Sequence, residues 1–213
     1  SRFVAKETGK GLSTNDFTTD EKTKIEIPVG WEILHFKDFV NIFTGKKDVS
    51  KVIPGAYKFF SCAPDPITSN EYIYDGEAIL VSGNGSYTGR VSFYKGKMDL
   101  YQRTYGCSMK VEDQIMPFLY CTMKYVFQPL FSGGRHGSSI PYIVLGDLAD
   151  FEIPYNKEVA RRFSKIVAPL FYKMLTTNVE ETEALIQQRN VLLPLLMNGQ
   201  VSVTQLNSDL LHD

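Results

Sequence analysis

Asn156-Lys-Glu-Val-Ala-Arg-Arg-Phe-Ser-Lys-Ile-Val-Ala-Pro-Leu-Phe-Tyr-Lys-Met174 opens the stretch that decides the fold, and the pattern it starts runs on to Gly199. Val159, Phe163, Ile166, Leu170 and Met174, then Leu185, Ile186, Leu192, Leu193 and Leu196, recur at helical spacing and so share one face. Lys157, Glu158, Arg161, Arg162, Lys165 and Lys173 turn elsewhere. Asn156 reads as the N-cap and Gly199 as the residue just past the last turn. A helix of roughly 40 residues is about 60 Å long at ~1.5 Å per residue. No domain of this size covers such a length, so the apolar seam calls for a partner helix. Two readings stand at its middle. Pro169 lacks a donor and kinks a single helix, whereas Thr177-Asn-Val-Glu180 spells a capping box that starts a second one and makes a hairpin.

Working outward, 213 residues with 43% hydrophobic and 22% charged leave room for one core plus an appendage. No apolar run reaches the ~18–20 residues of a membrane span, and no signal-peptide pattern is present. Cys62, Cys107 and Cys121 are odd in number and share no C-x-x-C spacing. They read as reduced, mostly buried cysteines of a cytoplasmic protein. His35, His136 and His212 are too scattered to suggest a metal site. A net charge of −1 excludes a protein that coats nucleic acid indiscriminately. The average conceals an asymmetry, however. Arg90, Lys95, Lys97, Arg103 and Lys110 face a single acid, Asp99, and Lys46, Lys47, Lys51 and Lys58 face only Asp48. A nearly neutral chain can still present one positive face.

Residues 1–24 are polar and read as a linker or the tail of a preceding region. Order is expected from Ile25 onward, with a Pro28–Gly30 turn, Trp31 anchored in the core, and a short helix over His35–Ile42. Short apolar runs then predict strands at Ala56–Phe60, Ala78–Ser82, Arg90–Tyr94, Leu100–Tyr105 and Pro141–Leu145. Ile115–Phe131 has helical periodicity. The expected organisation is a linker at 1–24, a globular domain at 25–153, a long helix at 154–199 and a tail at 200–213. The fold class is α+β: a twisted, mostly antiparallel sheet with short helices, followed by a long protruding helix.

Asp147 with Asp150, or Glu112 with Asp113, would be the candidate catalytic carboxylates, but no base, metal ligand or oxyanion donor accompanies them in a recognisable pattern. They read as solvated loop charges. No catalytic or metal-binding residue is therefore assigned. Gly83-Asn-Gly-Ser-Tyr-Thr-Gly89 matches no nucleotide-binding fingerprint. Its three glycines permit φ > 0 and close approach of a partner, and Asn84, Ser86, Tyr87 and Thr88 carry donors and acceptors beside Arg90. Gln102 and Arg103 follow, with the forked amide and guanidinium that suit adenine and guanine edges. Lys95 and Lys97 can neutralise phosphates nearby, and Lys46 and Lys47 join the candidate DNA-binding set. A second polar loop, Ser132–Ser139, offers Arg135 and His136. Two readings remain at this point: a base-reading surface, or a glycine-rich hairpin with a charged solvent face.

Several segments, in order, resemble the specificity subunit of type I restriction–modification systems, specifically one target recognition domain and the conserved helix after it. Ile27-Pro-Val-Gly-Trp-Glu32, Val40-Asn-Ile-Phe-Thr-Gly-Lys46 and Ala78-Ile-Leu-Val-Ser-Gly-Asn-Gly-Ser-Tyr-Thr-Gly-Arg-Val91 are similar to its opening phrase, its following segment and its central hairpin. Gly137-Ser-Ser-Ile140, Asp147-Leu148 and Phe151-Glu-Ile-Pro154 resemble the exit into the helix, although Ile153–Asn156 departs from the proline- and glutamate-rich wording of relatives. Arg189-Asn-Val-Leu-Leu-Pro-Leu-Leu-Met-Asn-Gly199 looks like the ending of that helix.

The resemblance implies a non-catalytic subunit that reads half of a split site in double-stranded DNA. Its helix, through Phe163, Ile166, Leu170, Met174, Leu185, Leu192, Leu193 and Leu196, would meet a companion helix and the methyltransferase subunits. Restriction subunits join that complex. No cofactor belongs to this chain; S-adenosylmethionine is expected on the methyltransferase partner. A full subunit has two domains and two helices, so the expectation is the C-terminal half of a longer subunit, or else a half-subunit that pairs with a second copy. A protein-interaction adaptor with a coiled-coil helix is the alternative from another class.

Overall fold

The computed structural model describes residues 17–20, 26–110, 114–132 and 140–197, without the side chains of residues 175–183, 186, 195 and 196. Contacts divide the chain into Ser1–Val167 and Ala168–Asp213. The first unit is built on a sheet whose strands are β4 (Val40–Thr44), β5 (Tyr57–Phe60), β6 (Ile67–Ser69), β7 (Tyr74–Ser82), β8 (Val91–Leu100) and β9 (Thr104–Met109). Their spatial order is β4-β9-β7-β8-β5-β6. Neighbours run antiparallel except β5, which lies parallel to β8. The class is α+β with a mainly antiparallel sheet, as the residue pattern implied.

β7 is central, and Ala78-Ile-Leu-Val-Ser82 is buried throughout. Its alternate residues face two cores. Ala78 and Leu80 join Met98 and Leu100 in one cluster, flanked by Phe43, Phe60, Tyr74 and Tyr94. Ile79 and Val81 face the other side. There the register sets Ile79 opposite Phe93, whose ring meets Tyr120 edge-on at 6.3 Å. Tyr120 lies on α2 (Met116–Thr122), which continues through a π-helical turn at Met123–Phe127 into α3 (Gln128–Phe131). The expected helix over Ile115–Phe131 is thus present, with one widened turn. Pro129 has no N–H for the Tyr125 carbonyl, and its ring would crowd that group in α geometry.

The sheet closes on itself. Beyond β4, Lys47 bridges Tyr101 at the end of β8, and Gly45 lies so close that a Cβ there would sit 1.5 Å from the Leu100 carbonyl oxygen. Beside this junction Asp99, 1% exposed, accepts from Ser69 Oγ at 3.0 Å and from the Leu100 N–H at 2.9 Å. Lys47 Nζ lies 3.3 Å from the same carboxylate and also pairs with Glu71. A buried carboxylate met by three donors ties together the segment after β4, strand β6 and the end of β8.

Among the described residues, two smaller ladders join the sheet in this unit. β1 (Phe17–Thr19) pairs with β2 (Glu26–Pro28), and β3 (Glu32–His35) pairs with β10 (Glu152–Tyr155). β1 falls inside the stretch expected to be a linker; its partner, β2, lies at the expected beginning of order and runs into the Pro28–Gly30 turn. Trp31 is only partly buried and closes a turn onto the Pro28 carbonyl at 3.0 Å, rather than anchoring the core. α1 is limited to Phe36–Phe39, and β4 takes over the remainder of the expected helix. Pro141–Leu145 is not a strand: Tyr142 makes an isolated bridge to Asn84, and α4 (Leu145–Ala149) begins at its end.

α5, Lys157–Met197, is one helix of 41 residues that passes through Pro169, Pro194 and the Thr177–Glu180 box, so the hairpin alternative is overturned. The Asn156 side chain caps it, accepting from the N–H groups of Glu158 and Val159 at 3.1 Å each, while its amide donates to the Gly30 carbonyl at 2.8 Å. Gly199 lies outside the described residues. Ser164 is buried, with its Oγ accepting from the Phe118 N–H at 3.3 Å, and Phe163 meets the Phe118 ring at 6.2 Å.

Asp99→Ala leaves Lys47, Ser69 and the Leu100 N–H without their shared acceptor. It is expected to lower unfolding free energy by about 3 kcal/mol. Urea denaturation would read this as a lower midpoint with an unchanged slope.

Candidate nucleic-acid interface

Four connections converge at one end of the first unit's sheet. The turn after β7 (residues 83–90) and the turn after β8 (residues 101–103) are tied by the Gly83 N–H donating to the Arg103 carbonyl at 2.8 Å. That contact explains Gly83, because a Cβ there would lie 2.4 Å from the same oxygen. The loop between β5 and β6 joins through Ser82 Oγ, which donates to the Cys62 carbonyl at 3.4 Å, and through Cys62 Sγ, 3.4 Å from the Arg103 carbonyl. The segment before α4 joins through the Gly85 N–H to the Pro141 carbonyl at 3.0 Å and the Ile143 N–H to the Gly83 carbonyl at 2.9 Å. Gly85 has a φ of 80°, and a Cβ there would meet nothing within 4 Å, so this glycine serves the turn's backbone rather than its packing.

The exposed rim of this cluster carries Ser86, Tyr87, Gln102 and Arg103, with Asn84 partly exposed. Tyr87 is 47% exposed. Gln102 and Arg103 sit on the turn between β8 and β9, not on the strand predicted from Leu100–Tyr105. A turn tip presents both forked side chains outward together. Lys46 is exposed at the adjoining segment after β4, where the Gln102 N–H donates to the Lys47 carbonyl at 3.1 Å.

Other expected contacts are placed differently. Thr88 is 2% exposed, and its hydroxyl lies 2.6 Å from the Gly85 carbonyl and 2.9 Å from the Pro141 carbonyl. It holds the turn from inside and cannot reach a base edge. Lys47 is engaged by Asp99 and Glu71, which raise its pKa chiefly through the Glu71 hydrogen bond, so its charge is already compensated within the fold. Lys97 stands opposite Asp75, toward the far end of the β7–β8 ladder from the glycine turn, with its Nζ 4.9 Å from the Tyr72 ring centroid. Arg90 turns back to the carbonyls of Ala63 and Pro64 at 3.2 and 2.9 Å. Arg135 and His136 lie outside the described residues.

Lys124 and Gln128 were not singled out, yet they hold the start of β8. Gln128 Oε1 accepts from the Val91 N–H at 2.8 Å and from Lys124 Nζ at 3.1 Å, and Lys124 also donates to the Val91 carbonyl at 2.9 Å. Burial first, and then the Arg90 charge, hold the Lys124 pKa below the ordinary lysine value. A polar pair four residues apart on an otherwise apolar helix was the available signal.

The candidate carboxylates have structural duties. Asp147 accepts from the Val144 N–H at 2.8 Å to cap α4, and Asp150 pairs with Lys37 at 2.5 Å. Glu112 and Asp113 lie outside the described residues. Cys107 is buried, which pushes its thiol pKa well up, whereas Cys62 and Cys121 are partly exposed. Among the described residues no group of His, Cys, Asp and Glu has metal-site geometry, and no helix is long and apolar enough to cross a membrane.

Residues 28–168 match the family described as the type I restriction modification DNA specificity domain. The chain is 31% identical over 191 residues to the specificity subunit of the type I restriction enzyme EcoDI from Escherichia coli, covering 83% of this chain and 40% of that protein. It is 20% identical over 222 residues to the MjaIX specificity subunit from Methanocaldococcus jannaschii, covering 92% of this chain and 50% of the relative. The chain therefore spans about half the length of these relatives. Among solved structures it is similar to the type I restriction–modification S subunit from M. genitalium, with a TM-score of 0.59, 17% identity, and coverage of 75% of this chain and 42% of that one. It is also similar to the HsdS subunit from Thermoanaerobacter tengcongensis, with a TM-score of 0.52, 18% identity, and coverage of 88% and 49%. At these identities the structural likeness speaks for the fold.

Proposed function

This chain belongs to the type I restriction–modification DNA specificity family, and from that premise we propose that it reads one half of a bipartite site in double-stranded DNA. The observation that carries the proposal is the Gly83–Arg103 backbone contact. It sets the glycine turn and the Gln102–Arg103 turn side by side as one exposed edge. Backbone-tied turns hold their side chains in place before DNA arrives, which lowers the ordering cost of binding. Gln102 supplies an amide that can donate to adenine N7 while accepting from N6, and Arg103 a fork for guanine O6 and N7. Ser86 and Asn84 add single donors and acceptors, and Tyr87 a flat apolar edge suited to a thymine methyl. Lys46 supplies positive charge to the phosphates beside them.

The chemistry is left to partners. This chain contributes recognition, and the methyl donor S-adenosylmethionine and the reacting groups belong to methyltransferase subunits that it positions, with restriction subunits in the same assembly. α5 serves as the spacer. Ile166, Leu170, Leu185 and Leu193 are 67%, 73%, 64% and 52% exposed, an apolar series that water disfavours and a companion helix would cover. Met174 is exposed as well, and Leu192 is partly so. The Leu196 side chain lies outside the described residues. The companion helix comes from another half of the same subunit or from a second copy.

Arg103→Ala is expected to weaken binding to the cognate half-site by about 1–3 kcal/mol and to relax selection at one base. Lys46→Ala is expected to weaken binding to all duplexes alike and to reduce the log–log salt slope by about 0.9. Fluorescence anisotropy across a salt series separates the two, and competition by random duplex equal to that by the cognate site would contradict specific reading. Leu185→Asp and Leu193→Asp are expected to abolish co-elution with the methyltransferase subunits while preserving the circular dichroism of the β-rich unit; unchanged co-elution would remove α5 from the interface.

A further inference from the structure

We infer that Arg90 is a positioning residue: its guanidinium braces the glycine turn against the loop between β5 and β6, and so holds Tyr87 at a fixed place on the reading edge. The inference rests on the DNA-reading assignment of that edge, but its first test needs no DNA.

The geometry is that of a clamp. Arg90 Nη2 lies 3.2 Å from the Ala63 carbonyl and 2.9 Å from the Pro64 carbonyl, so both of its hydrogens have acceptors in the same loop. A guanidinium offers guanine two forks, one from the two terminal nitrogens and one from Nε with Nη2, and both forks use Nη2. Nε is itself buried and has no acceptor among the described residues. Arg90 therefore cannot present either fork while the clamp is closed.

What the clamp joins also matters. The loop Ser61-Cys-Ala-Pro-Asp-Pro66 has two prolines, which supply no backbone donors, so its carbonyls depend on donors from elsewhere. On the other side, the main chain of Arg90 closes the glycine turn: its N–H donates to the Tyr87 carbonyl at 3.0 Å, and its carbonyl accepts from the Ser82 N–H at 3.0 Å. Its Cζ stands 5.9 Å from the Tyr87 ring centroid. One residue thus fixes the turn's backbone, backs its aromatic tip and fastens both to a neighbouring loop. Lys124 and Gln128 hold the next residue, Val91, from behind, so the brace has a fixed base.

The test is amide hydrogen exchange on the free full chain, comparing Arg90→Gln with the unsubstituted protein. Exchange in residues 61–66 and 83–90 is expected to accelerate at least about tenfold, while amides of Ile79–Val81 keep their protection. If Arg90→Gln opens the core amides as well, Arg90→Lys becomes the readout, with a smaller acceleration confined to the same two loops. Unchanged exchange in those loops in either case overturns the brace. With duplex DNA, a positioning role lowers the ratio of cognate to random binding by about tenfold or more and leaves the salt slope unmoved. A slope lower by about 0.9 with the loops undisturbed instead identifies Arg90 as a phosphate contact and overturns the inference. Accelerated loops in a chain whose unsubstituted form ignores all duplexes would uphold the brace and refute the DNA reading.

Discussion

A strand buried on both faces can be moved neither sideways nor along its axis without disturbing two cores at once. β7 is that strand, and the rest of the first unit depends on it. Ala78 and Leu80 belong to one core cluster, while Ile79 and Val81 face the other side, where Phe93, opposite Ile79, meets Tyr120. β8 and β9 flank it in fixed register, one opposite Val81 at Val91 and the other opposite Ser82 at Thr104. A slip by one residue would exchange the two apolar sets between differently shaped cores. The turns that leave β7 and enter β9 therefore start from immovable points. Their meeting at Gly83 and Arg103 follows from the register of the sheet.

Much of this was legible in the residues because the signals were local. The apolar runs of β5, β7 and β8, the helical period of Ile115–Phe131 and the Asn156 cap depend on neighbours in sequence, and each has its counterpart in the structure. The helix after Asn156 was legible as well, although the single-helix reading needed the structure to decide it against Thr177–Glu180. Local signals failed where a distant partner decided. Pro141–Leu145 looks like a strand, but Tyr142 finds only the Asn84 bridge, and the Asp147 carboxylate turns the chain into α4. Phe17–Thr19 looks like linker until Glu26–Pro28 pairs with it.

The candidate site was legible in outline and less so in detail, for one physical reason. Polar side chains in a sequence do not reveal whether their partners lie inside or outside the protein. Thr88, Lys47 and Arg90 have the composition of a DNA-contacting set, yet each is engaged within the fold, by the Pro141 carbonyl, by Asp99 and by the Ala63 and Pro64 carbonyls respectively. Gln102 and Arg103 look the same on paper but occupy a turn whose backbone, not whose side chains, makes the contacts to the rest of the cluster. The candidate edge is thus narrower than the basic stretch suggested. Rigidity behind it comes from residues that resemble contacts.

The central claim is that this rigid edge selects bases while catalysis belongs to other chains. Its most direct test is genome-wide sequencing of methylated bases in cells carrying the methyltransferase subunits, with the gene for this chain intact, deleted, or altered only at residues 101–103. A split methylation motif is expected to vanish on deletion and to change in one half alone when the turn is altered. A motif that survives deletion, or keeps both halves after the turn is replaced, would contradict the account.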